Sequence, residues 1–295
     1  MSLPAAFLSV ILIWSTTPLA IKWSALAAGP SFAVFARMAL GVLLSLVLAG
    51  ILRIRLPLHR KAWQTYLVGG ISVFLAMSLT YWSSQYISSG LISVLFGLSP
   101  LITGVAAAYW LEEQSLTPTK LAGMLLGLGG LALVFHESLE LGGHALAGIS
   151  ALLGAVLAQS IGLVWIKRIG DNSSPVALNL GGLLVALPLF FLVWLWRDGH
   201  WPTALPERAG AAILYLALFG SVIGFVAYFY MIRHMQAGSV ALITLITPVL
   251  ALLLGHRLDG EAVSNLVWLG TGGIMAGLSL HQWGERWLRA IAVRR

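Results

Sequence analysis

The chain has no cysteine and few charged residues, and both shortages narrow what it can do. Without any cysteine among its 295 residues it has no disulfide framework, no thiol chemistry and no cysteine-ligated metal. Only 9% of its residues are charged, whereas soluble domains carry about 25%. The chain therefore has too little polar surface to face water on all sides, as its mean hydropathy of +0.93 also indicates.

Long apolar runs recur from one end of the sequence to the other. Each is long enough to cross about 30 Å of hydrocarbon as a helix, and the alternation typical of barrel strands is absent. The first run has no basic segment before it and is too long for a signal peptide, so it is predicted to be retained. We predict an all-α polytopic membrane protein whose ten transmembrane helices lie at about 4–27, 31–52, 62–86, 90–111, 119–136, 145–166, 175–196, 210–232, 239–255 and 262–284.

The second half of the sequence repeats features of the first half. Gly90 is followed by Pro100, and the same pair returns 148 residues later as Gly238 and Pro248. Lys22 likewise has a counterpart, Lys167, after 145 residues. We interpret residues 1–143 and 144–295 as two five-helix repeats. Because five is odd, the second repeat is inverted in the membrane.

Basic residues predict the orientation. If the amino terminus is cytoplasmic, well over half of the 17 lysines and arginines fall in inner segments, as the positive-inside rule requires, and both termini are cytoplasmic. The net charge of +7 then reflects orientation rather than nucleic-acid binding. Arg37 is left within the second span. It either snorkels to the interface or pairs with backbone carbonyls, or it is a cation that faces the pore.

The third span carries a polar, aromatic face formed by Phe74, Ser78, Tyr81, Trp82 and Gln85, and the eighth span repeats it. An aromatic seam between helices would give the same pattern. We favour a cavity wall because both spans come just before the glycine–proline helices, and interrupted helices at matching places of inverted repeats indicate a transporter's central site. The predicted lining residues are Trp14, Ser15, Pro18, Phe74, Ser78, Tyr81, Trp82, Phe96, Ser99, Pro100, Gln159, Ser160, Tyr228, Phe229, Thr244, Thr247 and Pro248.

Two further features of the spans bear on packing. The ninth span is predicted to be about one turn shorter than the fourth, ending before His256. The fifth and tenth spans carry small residues at helical spacing, which allows close helix approach and predicts that they hold the two halves, or a dimer, together. These glycines are Gly123, Gly127, Gly130, Gly270, Gly273 and Gly277.

Acidic groups are missing from the middle of every predicted span, and the histidines also lie near span ends or in loops. Because proton-coupled carriers commonly use buried carboxylates or histidines, we hypothesise facilitated or exchange transport. An intramembrane zinc protease is excluded because His136-Glu137 has no second histidine at the required spacing. No cofactor or metal is expected. A wall of rings, hydroxyls and one amide suits neutral or aromatic zwitterions, with hydroxyls or a helix N-terminus holding the carboxylate. A channel, or a flippase for lipids or lipid-linked intermediates, stays an alternative.

Several stretches resemble one transporter family. Trp14-Ser15-Thr16-Thr17-Pro18, Arg37-Met38, and the segment from Ser89-Gly90 through Pro100 to Glu113 are similar to motifs of the drug/metabolite transporter superfamily, EamA type. The resemblance implies a basket of ten helices around a central cavity, as monomer or homodimer, exporting amino acids or related metabolites across a bacterial inner membrane. Two positions depart from the family pattern. Gln159 stands where tryptophan is frequent, and His256 stands where glutamate is frequent.

Overall fold

The computed structural model describes residues 3–111, 117–140, 143–224, 227, 231 and 237–292. Within these ranges the chain is helical and has no β-strand. The helices are α1 (Leu3–Ala28), α2 (Pro30–Ile51), α3 (Arg60–Ser83), α4 (Ser89–Phe96), α5 (Ser99–Trp110), α6 (Pro118–Glu140), α7 (Gly143–Ile169), α8 (Pro175–Arg197), α9 (Glu207–Tyr215), a π-helix (Leu216–Ile223), α10 (Ala237–Asp259) and α11 (Asn265–Ala292).

The helices confirm the prediction of a polytopic membrane protein. Six segments are long and apolar enough to cross a membrane, with α4 and α5 counted as one, and α6 supplies a shorter apolar helix, Pro118–Val134. Proline begins α2, α6 and α8, where its fixed φ suits the first turn and its missing N–H costs nothing. The helix bounds lie close to the predicted spans because apolar run length decides them.

The sequence predicts matching interrupted helices for the two proline-containing spans, but the two spans differ from each other. The fourth span is two helices, broken at Gly97-Leu98, so that Pro100 lies in the first turn of α5 rather than inside a helix. Its counterpart α10 is continuous, with Pro248 in its interior. The predicted shortening of the ninth span is wrong. Helix α10 continues through His256 to Asp259 because the charges of its last turn are held by partners described below.

Pro18 also lies within a continuous helix, and hydroxyl groups support the turn before it. The Thr16 hydroxyl donates to the carbonyl oxygens of Leu12 and Ile13, at 2.7 and 3.0 Å, and that of Thr17 donates to Ile13 at 2.7 Å. These hydroxyl groups thereby satisfy their own hydrogen bonds within the helix, where lipid offers no alternative partner.

Two apolar cores organise the packing. One joins α1, α2, α3 and α8, with Tyr81 and Phe190 among its fully buried side chains. The other joins α4, α5, α7, α10 and α11, with Leu95 and Leu252 buried in it. Met77 of α3 packs against both cores. Helix α10 lies between α1 and α4 because its neighbouring faces pack against each of them.

Close glycine packing joins α6 and α11. A Cβ atom on Gly123 would lie 2.5 Å from the Gly277 carbonyl oxygen, and one on Gly130 would lie 2.5 Å from that of Gly270. Real Cβ atoms do not approach backbone so closely, so only glycine permits this seam. The predicted small-residue faces therefore meet each other within one chain, and the first and second halves are in direct contact through them.

Replacing Gly130 with alanine should force α6 and α11 apart and destabilise the protein by about 1–3 kcal/mol, the usual cost of overpacking. Gly129 provides the matched control, because nothing lies within 4 Å of a Cβ placed there. Gly129→Ala should leave stability unchanged or raise it by up to about 1 kcal/mol through helix propensity. Melting in detergent measures both, and equal behaviour of the two variants would contradict the seam.

Candidate functional site

The broken span and its inverted counterpart cross at their proline-containing segments. A Cβ on Gly97, at the break between α4 and α5, would lie 3.6 Å from Pro248 Cγ of α10. Near the start of α4, a Cβ on Gly90 would lie 2.6 Å from a side-chain carbon of Leu252. The two glycines thus let the helices approach along the whole of α4. The break in one span therefore sits against the proline of the other.

Several predicted lining residues lie in the helices that meet at this crossing or that pack against those helices. Ser99 begins α5, and its carbonyl oxygen accepts a 3.4 Å hydrogen bond from the buried hydroxyl of Ser160 in α7. Phe96 ends α4 and packs against the second apolar core. Trp14 of α1 is half-buried and packs against a third apolar cluster, which includes Ile243 of α10. The remaining predicted residues of α10 are Thr244, Thr247 and Pro248, of which Thr247 and Pro248 are buried.

Three of the predicted residues bury a hydroxyl oxygen that has no hydrogen-bond partner among the described residues. They are Ser15 of α1 and Ser78 and Tyr81 of α3. A buried polar group without a partner costs about 1–3 kcal/mol, so natural proteins retain few of them. Pro18, one turn from Ser15, is also buried in α1. These hydroxyls are candidates for bonds to a ligand or to solvent that enters with it.

The predicted face of the third span divides between different surroundings. Phe74 packs edge to face against Phe190 of α8, with ring centroids 5.1 Å apart. Trp82 lies 4.8 Å from the Tyr86 ring, which in turn stacks on His144 at the start of α7. Phe74 therefore belongs to a seam between helices and Trp82 to an aromatic group near the helix ends. The structure does not bring these two rings together.

The remaining predicted positions are placed as follows. Gln159 is exposed in α7, one residue before the buried Ser160. Tyr228 and Phe229 lie outside the described residues. Arg37 is 5% exposed, so it does not snorkel to the interface.

A group of charges connects both repeats at the predicted outer end of the bundle. Lys22, near the end of α1, lies 2.6 Å from Glu261 Oε1 and 3.4 Å from Asp259 Oδ2. Asp259 also accepts a 2.8 Å hydrogen bond from Trp23 Nε1 and faces Arg208 of α9 at 3.3 Å. We call Lys22, Trp23, Arg208, Asp259 and Glu261 the charge cluster. Its two cations and two carboxylates balance, and Glu261 is the most buried of the four charged groups.

Glu261 also caps the first turn of α4. Its carboxylate accepts hydrogen bonds from the backbone N–H of Ser89 at 2.8 Å, the Ser89 hydroxyl at 2.9 Å and the N–H of Gly90 at 3.4 Å. The side chain is 4% exposed. A carboxylate at a helix N-terminus satisfies orphan N–H groups and interacts favourably with the helix dipole. Glu261 thus ties the start of α4 to Lys22 of α1.

Two glycines allow Glu261 to reach this position. Gly260 has a φ of 65°, which turns the chain sharply after α10. A Cβ on Gly255 would lie 2.3 Å from Glu261 Oε2, so glycine is needed there. His256 Nδ1 lies 2.9 Å from the Glu261 carbonyl oxygen. The acidic group expected at position 256 is therefore supplied five residues later.

The sequence does not reveal the charge cluster directly, because nothing in it shows that Lys22 and Arg208 meet the carboxylates after α10. One signal was available. The spacing of 148 residues that relates Gly90 to Gly238 also relates Glu113 to Glu261. A carboxylate repeated at the end of both glycine–proline spans indicates a role shared by the two halves.

Comparison with known proteins agrees with this architecture. The EamA-like transporter family matches residues 3–136 and again 146–281. The chain belongs to this family. Escherichia coli YedA, an uncharacterized inner membrane transporter, is 28% identical over 95% of this chain and 90% of its own length. A probable amino-acid metabolite efflux pump of Escherichia coli is 27% identical over 70% of this chain and 71% of its own. A solved structure that is 20% identical superposes with a TM-score of 0.69, covering 97% of this chain and 98% of the other, and so shares its fold.

Family membership makes the protein a transporter with a two-repeat helical fold. Its apolar helices make it a multi-pass membrane protein. Protein PagO of Salmonella typhimurium is 26% identical over 90% of this chain and 87% of its own length.

Neutralising one side of the Lys22–Glu261 pair should destabilise the protein. Glu261→Gln keeps the shape of the side chain but removes the negative charge that Lys22 contacts. Lys22→Met leaves the buried Glu261 carboxylate without this cation. Because Lys22 is 18% exposed, each loss should fall below the usual cost of breaking a fully buried pair, at about 1–3 kcal/mol.

The double variant should lose less stability than the sum of the two single changes, because each has already removed the partner of the other. Arg257→Met, at an exposed position of the same last turn of α10, is the control and should leave the melting temperature unchanged. Additive losses in detergent melting would show that the two side chains act independently.

Proposed function

We propose that the protein exports neutral or aromatic amino acids, or closely related metabolites, by alternating access. The observation that carries the proposal is the charge cluster. It joins α1 and α4 of the first repeat to α9 and α10 of the second at one end of the bundle. Exchange of access between the two sides of a membrane requires such contacts to break and reform.

The cluster is a closed gate in this proposal. Each of its bonds joins two different segments at the predicted outer end of the bundle. If these segments separated, a path would open from the predicted outer side to the contact between α4 and α10. A permanently open channel would not need charge pairs at this place. A lipid flippase would need a groove that opens sideways to the bilayer, which a ring of bonds at the helix ends does not provide.

The opposite end has matching residues in the sequence. Lys167 stands 145 residues after Lys22, and Glu113 stands 148 residues before Glu261. We propose that Lys167 contributes to an inner gate as Lys22 does to the outer gate. Inverted repeats support this role, because each half contributes the same parts to opposite ends of the bundle.

The substrate class rests on the walls of the proposed site and on one relative. Trp14, Phe96 and the buried hydroxyls offer apolar surface with few polar groups, as small-molecule sites do. The name of the related efflux pump refers to amino-acid metabolites. We further propose that the protein lies in a bacterial inner membrane with both termini in the cytoplasm, as the distribution of lysines and arginines predicts.

Counterflow in proteoliposomes tests the function. Labelled phenylalanine, leucine and other neutral amino acids should accumulate against an internal pool, whereas nucleosides, quaternary drugs and lipid-linked intermediates should not. Trp14→Ala should lower the initial rate about tenfold, the cost of losing much of a buried aromatic contact. Trp196→Ala is the control, because Trp196 is 85% exposed. Accumulation of nucleosides or drugs instead of amino acids would contradict the proposed substrate class.

Labelling of a single cysteine tests the gate, and the natural absence of cysteine provides a clean background. A cysteine at Ser15 should react slowly with an impermeant maleimide added outside. Glu261→Gln should speed that reaction several-fold by weakening the outer gate. Lys167→Met should instead speed labelling from the cytoplasmic side. Unchanged outside labelling in Glu261→Gln would show that the charge cluster is structural only.

A further inference from the structure

Arg37 is a buried cation in a membrane-spanning helix, and no carboxylate of the described residues neutralises it. It lies seven residues after Pro30, the first residue of α2, or about 10 Å along the helix axis. It is 5% exposed. None of the ion pairs between described residues includes Arg37, and its Nη1 atom has no hydrogen-bond partner among them.

The surroundings of Arg37 are shaped to hold its guanidinium group. Arg37 Nε donates a 3.2 Å hydrogen bond to the hydroxyl oxygen of Ser221 in the π-helix. That hydroxyl donates in turn to the Leu216 carbonyl oxygen at 3.1 Å, across one wide turn of the π-helix. Asn179 of α8 donates to the Ser221 carbonyl oxygen at 3.4 Å. A Cβ on Gly220 would lie 3.1 Å from Arg37 Nη2, so glycine makes room for the group.

Every one of these partners is neutral, which leaves the positive charge uncompensated. A buried lysine could lose its proton, but a guanidinium group does not deprotonate in proteins. An unpaired charge away from water is expensive, so ionisable groups inside membranes pair or serve transport. With Nε held by Ser221, the unpartnered Nη1 belongs to the Nη1–Nη2 end of the guanidinium group, and such an end can bind a carboxylate in two-point geometry.

This end of the guanidinium group lies close to the proposed transport site. Three residues beyond Ser221, a Cβ on Gly224 would lie 3.6 Å from Trp14 Nε1 and 3.4 Å from Ile13 Cγ2. The π-helix and the residue that follows it therefore contact both Arg37 of α2 and Trp14 of α1. A molecule with an anionic end and an apolar end would meet a cation and an aromatic ring about one helical turn apart.

We propose that Arg37 binds the carboxylate of the transported metabolite and so restricts the substrates to carboxylic acids, amino acids included. This inference rests on the proposed function and deepens it. It assigns the carboxylate to a side chain of α2 instead of to hydroxyls or a helix N-terminus. The π-helix has a stated part in it, because its Ser221 hydroxyl orients the guanidinium group.

A matched series of ligands tests the assignment in the counterflow assay. Phenylalanine, phenylalaninamide and phenethylamine share the ring and amino group but differ in the carboxylate. The wild-type protein should transport phenylalanine at least tenfold better than the other two. Arg37→Met should reduce phenylalanine transport to the level of the amide, and Arg37→Lys should restore part of the preference. Arg55→Met, at an exposed position in the α2–α3 linker, should behave as wild type.

Ligand-induced stabilisation in detergent gives a second measurement that does not need transport. Removing an uncompensated buried charge is often neutral or stabilising, so Arg37→Met should remain folded. Phenylalanine should raise the melting temperature of the wild type and of Arg55→Met but not that of Arg37→Met. Chloride, compared with a large inert anion such as gluconate, tests whether a small inorganic ion fills the same site.

The outcomes separate this inference from the proposed function. If phenylalanine and its amide are transported equally well, or if Arg37→Met keeps the preference for the acid, the assignment of Arg37 is wrong while the export of amino acids stands. Stabilisation by chloride with no preference for the acid would identify an inorganic anion site and overturn the inference. If the wild type transports none of the series and none stabilises it, both proposals fail.

Discussion

The contact between Lys22 and Glu261 is the interaction on which the arrangement of the two halves most depends. It places a nearly buried carboxylate on the first backbone N–H groups of α4 while it neutralises a lysine of α1. In a bilayer each of these groups would otherwise be costly, so the pair and the helix N-terminus satisfy one another. The glycine seam between α6 and α11 joins the halves elsewhere by close backbone approach. The polar bonds of Lys22 and Glu261 can exchange partners, so they suit a contact that opens. The glycine seam has no alternative partners, so it suits a contact that stays closed.

The helices of this protein could be predicted from its sequence because lipid leaves the backbone few choices. Runs of apolar residues located the spans, and the small residues of the fifth and tenth spans identified a close contact that the structure confirms. The length of α10 was predicted wrongly. His256 and Asp259 looked like residues beyond the membrane, yet Asp259 is held by Lys22 of the distant helix α1, and His256 by the Glu261 carbonyl oxygen five residues later. Single-sequence reasoning contains no information on such partners.

The candidate site was less predictable for a related physical reason. Helical spacing shows which residues share a face, but it does not show which neighbour covers that face. Phe74 and Trp82 share the polar face of α3. In the structure, however, Phe74 packs against Phe190 of α8 and Trp82 packs against Tyr86. Ser160 reaches the Ser99 carbonyl oxygen because α7 packs against α5, whereas Trp14 packs against a separate cluster that includes Ile243 of α10. The repeat spacing was the more informative signal, since it relates Glu113 to Glu261 as well as the prolines.

The fourth span is jointed at Gly97-Leu98, whereas its duplicate α10 runs without interruption past Pro248. A span broken into two helices can bend at the break while one helix stays in place, but a continuous helix moves together with both of its ends. Duplication has therefore produced two arms that are alike in outline and unlike in mechanics. We therefore expect any motion of the two spans to be asymmetric. Helices α4 and α5 can change their mutual angle at Gly97-Leu98, whereas α10 moves as one unit.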